Sequence, residues 1–207
     1  MGSTVRLLDD TLIDQIAAGE VIERPANLVK ELLENAIDAA ATAITVSVED
    51  GGRGLVRVSD DGIGMSPEDA ALCIERHATS KIAAFEDLAR VATLGFRGEA
   101  LPSIGSVSKM TITTRPKADL EGTRVIVEGG EVREISPAGC PPGTTVEVHD
   151  LFYNVPARKK FLRARQTETS RIFEVCQRLA LSHPSAVSVT PMTTLSQKPS
   201  TDFTKRR

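Results

Sequence analysis

The sequence predicts an α+β fold, a two-layer sandwich on a largely antiparallel sheet. Three observations support this. Segments with helical apolar spacing stand toward the two ends of the chain. Strand-like runs separated by turn residues lie between them, four of them in close succession from Lys109 to His149. The composition, 41% hydrophobic and 26% charged, is that of a folded chain. At 207 residues it is long enough to bury about 70% of its unfolded surface, so its core requires neither disulfide nor metal.

The elements follow in order. A short helix is expected over Thr11–Ala18, ending near Gly19. A stronger one is expected over Asn27–Ala40, where Leu28, Leu32, Ala36 and Ala39 recur at helical spacing and Val29, Leu33 and Ile37 widen the apolar face, with Pro25 at the start. Strands at 43–48 and 55–59 flank Asp50-Gly51-Gly52, a hairpin signal. Ser66-Pro67-Glu68-Asp69 reads as an N-cap, a first-turn proline and two acids, opening a helix to about His77. Residues 78–102 form a long connection, with a short helical piece at Phe85–Arg90; a connection of this length is more often functional than idle. Strands are then expected at 109–114, 123–128, 132–136 and 144–149, followed by an amphipathic helix over Glu168–Leu181. A strand at 186–190 and an unstructured basic tail from Pro191 close the chain. Residues 1–184 are therefore expected to form one domain, and 185–207 the start of a second plus the tail.

The formal net charge of −3 conceals a division. Residues 1–150 carry 14 basic and 25 acidic side chains, whereas residues 151–207 carry 11 basic and 3 acidic ones. Such asymmetry suggests an anionic partner at the C-terminal end, although a solvated basic helix gives the same counts. Other classes drop out. No apolar stretch approaches the roughly 20 residues of a membrane span, and the N-terminus lacks a signal-peptide core. Cys73, Cys140 and Cys176 are too scattered for a disulfide framework or a zinc site, and GxSxG, Walker-type and Rossmann motifs are absent. Aromatic residues, at 3% with no Trp, disfavour a base-stacking single-strand binder. An intracellular, soluble chain is expected, without membrane partners.

Three clusters can carry chemistry. Glu31, Asn35 and Asp38 fall at i, i+4 and i+7, so they share one helix face within about 60°. A carboxylate and an amide oxygen one turn apart suit a water and a magnesium ion, which prefers oxygen ligands shared with phosphate. The polar face of any amphipathic helix looks the same. Asp60-Asp61-Gly62-Ile63-Gly64 closes a strand, and a carboxylate there can accept from an exocyclic amine; a plain Asp-Gly turn is the alternative. Gly95-Phe96-Arg97-Gly98 precedes the helix start Glu99-Ala100-Leu101, where backbone amides can meet an anion, as can Thr79, Ser80 and Lys81.

Together these segments resemble the MutL DNA mismatch-repair proteins, within the GHKL ATPase superfamily of type II topoisomerases, heat-shock chaperones and histidine kinases. The resemblance rests on Ile16-Ala17-Ala18-Gly19-Glu20-Val21-Ile22-Glu23-Arg24-Pro25 and Lys30 through Ala39. It continues through Arg76-His77-Ala78-Thr79-Ser80-Lys81-Ile82, Leu94 through Leu101, and Leu151 through Arg158. It implies the Bergerat-type ATP-binding fold, a mixed, largely antiparallel sheet with helices on one face. It also implies ATP and Mg²⁺ as ligands: Glu31 as general base, Asn35 on Mg²⁺, and Asp60 on the adenine amine with Thr145 in support. Gly62 and Gly64 would leave space for nucleotide, and Gly95, Phe96, Arg97, Gly98, Glu99, Ala100 and Leu101 would wrap the triphosphate with Thr79, Ser80 and Lys81. Implied partners are DNA, the mismatch-recognition protein MutS, a downstream nuclease or helicase, and a second copy on ATP binding, in a bacterial cytoplasm or a eukaryotic nucleus. DNA would meet Arg158, Lys159, Lys160, Arg163 and Arg165.

The chain departs from the family pattern at two places. Asp61 stands where the family commonly has Asn, which would weaken nucleotide binding if its carboxylate faced the phosphates. Beyond about Thr190 nothing resembles the second domain that supplies a lysine to the γ-phosphate, so binding is expected to outlast turnover. The competing expectations are a nucleotide-regulated DNA-binding and docking module, and a chaperone or kinase relative sharing only the pocket.

Overall fold

The computed structural model describes residues 9, 13, 16, 18–19, 21–76, 78, 98–183 and 187–191. The short piece expected at Phe85–Arg90, most of the helix expected at Thr11–Ala18, and the tail beyond Pro191 lie outside the described residues.

Helix α1, Pro25–Asp38, begins with proline at its first turn and buries Leu28, Val29, Leu32, Leu33 and Ala36 along one stripe. Strands β1, Ile44–Glu49, and β2, Leu55–Asp60, pair antiparallel across the short 3₁₀ turn Asp50–Gly52. Helix α2, Pro67–Leu72, is capped by Ser66, whose Oγ accepts from the Asp69 amide at 3.1 Å. It ends well before His77. Helix α3, Ala100–Ser106, leads into strands β3, Lys109–Arg115, β4, Gly122–Glu128, β5, Glu131–Ala138, and β6, Gly143–His149. Helix α4, Pro156–Phe161, and helix α5, Arg165–Ser182, follow, and β7, Val187–Pro191, closes the described chain.

The sheet order is β5-β4-β3-β6-β2-β1-β7. Every neighbouring pair is antiparallel except β1 with β7, which is parallel. The sheet is thus mixed and largely antiparallel, as expected. Residues 187–191 join it beside β1, so the boundary expected at 184 cuts through the sheet.

Strand registers align side chains into rows on one face. Val48, Val56, Val148, Met110 and Val127 make one row, and Val46, Val58, Val146, Ile112 and Val125 make the next; all are buried. Helices α1, α3 and α5 lie over this face: α1 packs on β1, β2 and α5, and α3 packs on β3 and β4. At about 25 cal/mol per Å² of apolar surface removed from water, these rows and the α1 stripe form the folding core. On the opposite face Arg57 pairs with Glu147, and polar side chains meet solvent.

Helix α4 escapes sequence reading because it buries none of its residues. Without an apolar period, only Pro156 at its first turn marks it.

Candidate functional site

The third row across the sheet changes character. Following the same registers, it runs Ile44, Asp60, Thr144, Thr114, Thr123: four polar residues continuing two apolar rows. Asp60 ends β2, and its Oδ1 accepts from the amides of Gly62 at 2.9 Å and Thr144 at 3.3 Å. The Thr114 hydroxyl lies 2.9 Å from that of Thr144 and accepts from the Met65 amide at 2.9 Å. Burial raises the Asp60 pKa above the usual carboxylate value, against the lowering effect of the two amides, and the neighbouring Asp61 charge adds to the rise. A part-buried carboxylate beside hydroxyls suits a donor-bearing ligand.

The registers correct one expectation. Thr145 pairs with Ser59 and hydrogen-bonds its hydroxyl on the opposite face of the sheet, so it does not share the face on which Asp60 stands. Its neighbour Thr144 does. Strand alternation sends adjacent side chains to opposite faces, and two consecutive threonines cannot be told apart until the register is known.

Asp61 turns away from this row. Its Oδ1 accepts from the amides of Thr42 at 2.7 Å and Ala43 at 2.8 Å, and its Oδ2 accepts from the Thr42 hydroxyl at 2.6 Å. The Thr42 hydroxyl and then the two amides lower its pKa to about 2. The carboxylate therefore clamps the β2 turn to the loop entering β1.

At both glycines of this turn an added Cβ would meet the chain's own backbone. A Cβ on Gly62 would lie 2.7 Å from the Ala39 carbonyl oxygen, and one on Gly64 would lie 2.2 Å from that of Arg115, where φ is also +69°. In both cases the chain's own backbone occupies the space. These glycines let the turn dock on the end of α1 and the end of β3, and any room for ligand is a consequence of that docking.

On α1, Glu31, Asn35 and Asp38 are half-buried at the edge of the apolar stripe. Lys30 Nζ lies 3.5 Å from the Glu31 carboxylate and 2.8 Å from that of Glu34, which is itself buried. The helix ends at the Gly62 turn, where the Ile63 amide donates to the Ala39 carbonyl at 3.0 Å. At about 1.5 Å of rise per residue, Asn35 stands roughly 6 Å and Glu31 roughly 12 Å along the axis from that junction. No group of three or more His, Cys, Asp or Glu side chains among the described residues could cage a metal. The donor set fits an ion that takes one oxygen from Asn35 and the rest from phosphate and water.

Gly98, with φ +63°, and Glu99 precede α3, which begins at Ala100 and Leu101. Thr79, Ser80, Lys81, Gly95, Phe96 and Arg97 lie outside the described residues.

The basic cluster divides. Lys159, Lys160, Arg163 and Arg165 are exposed, although Arg165 lies 3.6 Å from Asp50. Arg158 instead packs its guanidinium against Gly19 and donates to the Ile16 carbonyl at 3.3 Å, so it ties the N-terminal segment to α4. Sequence reading also missed Thr114, Thr42 and Glu34, whose roles come from partners 4 to 49 positions away or from burial alone.

Residues 23–132 match the family described as histidine kinase-, DNA gyrase B-, and HSP90-like ATPase, and the chain belongs to that ATPase family. Within it the likeness is to MutL. The chain is 58% identical over 184 residues to the DNA mismatch repair protein MutL of Syntrophotalea carbinolica, covering 89% of this chain and 29% of the relative. It is likewise 58% identical over 180 residues to that of Symbiobacterium thermophilum, covering 87% and 28%. The chain thus spans less than a third of the length of these relatives. Among solved structures, the Aquifex aeolicus MutL ATPase domain complexed with ADP superimposes with a TM-score of 0.65 at 37% identity, covering 83% of this chain and 60% of that one. The N-terminal domain of a DNA repair protein gives 0.75 at 29% identity, covering 89% and 54%. The resemblance to the MutL ATPase region and the Bergerat-type fold expected from it are borne out.

Proposed function

We propose that this chain is the Mg²⁺-ATP-binding, weakly hydrolysing domain of a MutL-type DNA mismatch repair protein, and that nucleotide acts in it as a dimerisation switch. The observation that carries this reading is the order of polar groups leading away from one junction. Asp60 and Thr144 stand at the turn that docks on the end of α1, and Asn35 and then Glu31 follow one and two helical turns along it. That is the order in which a nucleotide presents its base, its bridging phosphates and its terminal phosphate. Asp60 would accept the adenine amine. Asn35 would hold Mg²⁺, which when bound neutralises phosphate charge. Glu31 would orient the attacking water and take its proton. The ADP complex of the Aquifex relative supports a nucleotide in this region.

Calorimetry with ATP and Mg²⁺ tests the reading: the wild-type chain is expected to bind and Asp60→Asn to lose at least tenfold in affinity, since a hydrogen bond to a charged group is worth about 1.5–3 kcal/mol. Unchanged affinity in the variant would remove the pocket assignment.

A second reading is favoured by one observation: among the described residues Lys159, Lys160 and Arg163 are exposed and make no ion pair. They would meet DNA phosphates, with affinity that falls steeply with salt. MutS, a downstream nuclease or helicase, a second copy of this chain and a bacterial cytoplasmic location complete the proposal, by analogy with the bacterial relatives. Among the described residues no helix is long and apolar enough to cross a membrane.

A further inference from the structure

Arg163 combines an exposed side chain with a backbone held on both sides. Its amide donates to Glu168 Oε1 at 2.9 Å, and its carbonyl accepts from the Arg53 guanidinium, 110 positions away in sequence. The same guanidinium reaches the Leu162 carbonyl at 3.4 Å, and the half-buried Leu162 side chain packs against the core. The linker 162–164 between α4 and α5 is therefore fastened from two directions. The turn between β1 and β2 closes on its far end. A Cβ on Gly51, where φ is +67°, would lie 2.8 Å from the Arg165 carbonyl oxygen, and Asp50 lies 3.6 Å from the Arg165 guanidinium.

The two groups that hold Arg163 are placed there at a cost. Glu168 is 1% exposed, and its Oε2 is buried without a hydrogen-bond partner. Arg53 Nε is buried without one as well. Burying a polar atom unpaired costs free energy, which an apolar side chain of similar size in place of Glu168 would avoid. The hydrogen bonds that each group does make converge on residues 162 and 163. Core packing therefore does not account for either of them, whereas the fixed linker does.

We infer that Glu168 is a positioning residue for a DNA phosphate contact, acting through Arg163. With Arg53 it fixes the Arg163 backbone, so that the exposed guanidinium is presented to a phosphate from a rigid base. A cation on a fixed backbone loses less conformational freedom on binding than one on a free linker. The inference rests on the reading above in which Lys159, Lys160 and Arg163 meet DNA; Glu168 itself is buried and touches no ligand.

The test measures binding of a duplex oligonucleotide over a range of salt concentrations. Glu168→Leu keeps the size and removes the acceptor, whereas Glu168→Gln keeps the shape and an oxygen for the Arg163 amide. The leucine variant is expected to lose about 0.9 of the log–log salt slope, the equivalent of one phosphate contact, and the glutamine variant to retain the wild-type slope. In an Arg163→Ala chain, Glu168→Leu is expected to change the slope no further, because the two changes remove the same contact. A slope unaltered by Glu168→Leu, an equal loss in the glutamine variant, or a further loss in the Arg163→Ala chain would each overturn the inference. A merely structural role would produce none of the expected pattern. Should the leucine variant not fold, Arg53→Met removes the grip on the Arg163 carbonyl from a half-buried side chain and carries the same expectation: a loss of about 0.9, with an unchanged slope refuting it. If the wild-type chain binds no DNA, the DNA reading fails first and this inference with it.

Discussion

Thr144 stands directly across the β2–β6 ladder from Asp60, and its amide donates to the Asp60 carboxylate at 3.3 Å. Its hydroxyl shares a hydrogen bond with Thr114, while Thr145 is turned to the other face to meet Ser59. The two threonines therefore separate experimentally. Thr144→Val is expected to weaken ATP binding about fivefold, the scale of one hydrogen bond, and Thr145→Val to leave it within about twofold. Calorimetry on both variants checks this, and equal effects would contradict the register.

Asp60 carries a cost in the absence of ligand. Its pKa is raised mainly by burial, so the folded state disfavours its charged form above the ordinary carboxylate range. Asp60→Asn should therefore raise the ligand-free melting temperature at pH 7 while reducing nucleotide affinity. The gain should shrink as pH falls through the carboxylate range, where the wild-type side chain becomes neutral. Thermal melts at several pH values give the sign directly.

Asp61 predicts the opposite dependence. Its folded pKa is depressed to about 2 by Thr42 and Ala43, so its stabilisation is present above the unfolded value near 3.9 and is lost as pH falls toward 2. Asp61→Ala should lower stability at neutral pH and remove part of the wild type's acid dependence between about pH 4 and pH 2. Acid unfolding curves that remain parallel would show that the clamp contributes nothing.

Under the proposed mechanism, a variant at Glu31 would separate binding from turnover. Glu31→Ala is expected to retain ATP binding and to lose about 10²–10⁴-fold in hydrolysis, the range for a positioned general base. Residual turnover near the wild-type rate would exclude it as the base.

Gly64 tests the docking of the Asp60 turn. With φ at +69° and the Arg115 carbonyl 2.2 Å from any Cβ, Gly64→Ala should destabilise the fold by about 2–3 kcal/mol, measured by denaturant titration.

The basic end also divides into two roles. Neutralising Lys159 and Lys160 should reduce the log–log salt slope of DNA binding by about 1.8, at about 0.9 per phosphate, without altering the melting temperature. Arg158→Ala should do the reverse, because its guanidinium packs on Gly19 and bonds the Ile16 carbonyl.

Much of this molecule is legible before any coordinates exist. The Leu28–Leu32–Ala36 period announces α1, and the Ser66-Pro67 signal marks the start of α2. The β runs announce all seven strands to within one or two residues. Glu31, Asn35 and Asp60 are visible because helical spacing and a strand-ending Asp-x-Gly are local patterns. The end of α2 and the whole of α4 are not visible: α2 stops at Leu72 although favourable residues follow, and α4 buries nothing.

What sequence alone determined is therefore the local grammar: which segments are helices and strands, which residue types stand at their ends, and which family they compose. Only the tertiary structure decided which face each side chain serves. It placed Thr144 rather than Thr145 beside Asp60, aimed Asp61 at Thr42, and turned Arg158 inward while leaving Lys159 outside. The reason is physical. Strand alternation and helical period are fixed by bond geometry within a few residues, but register and docking depend on partners tens of residues away. A shift of one residue in that register reverses every assignment of inside and outside.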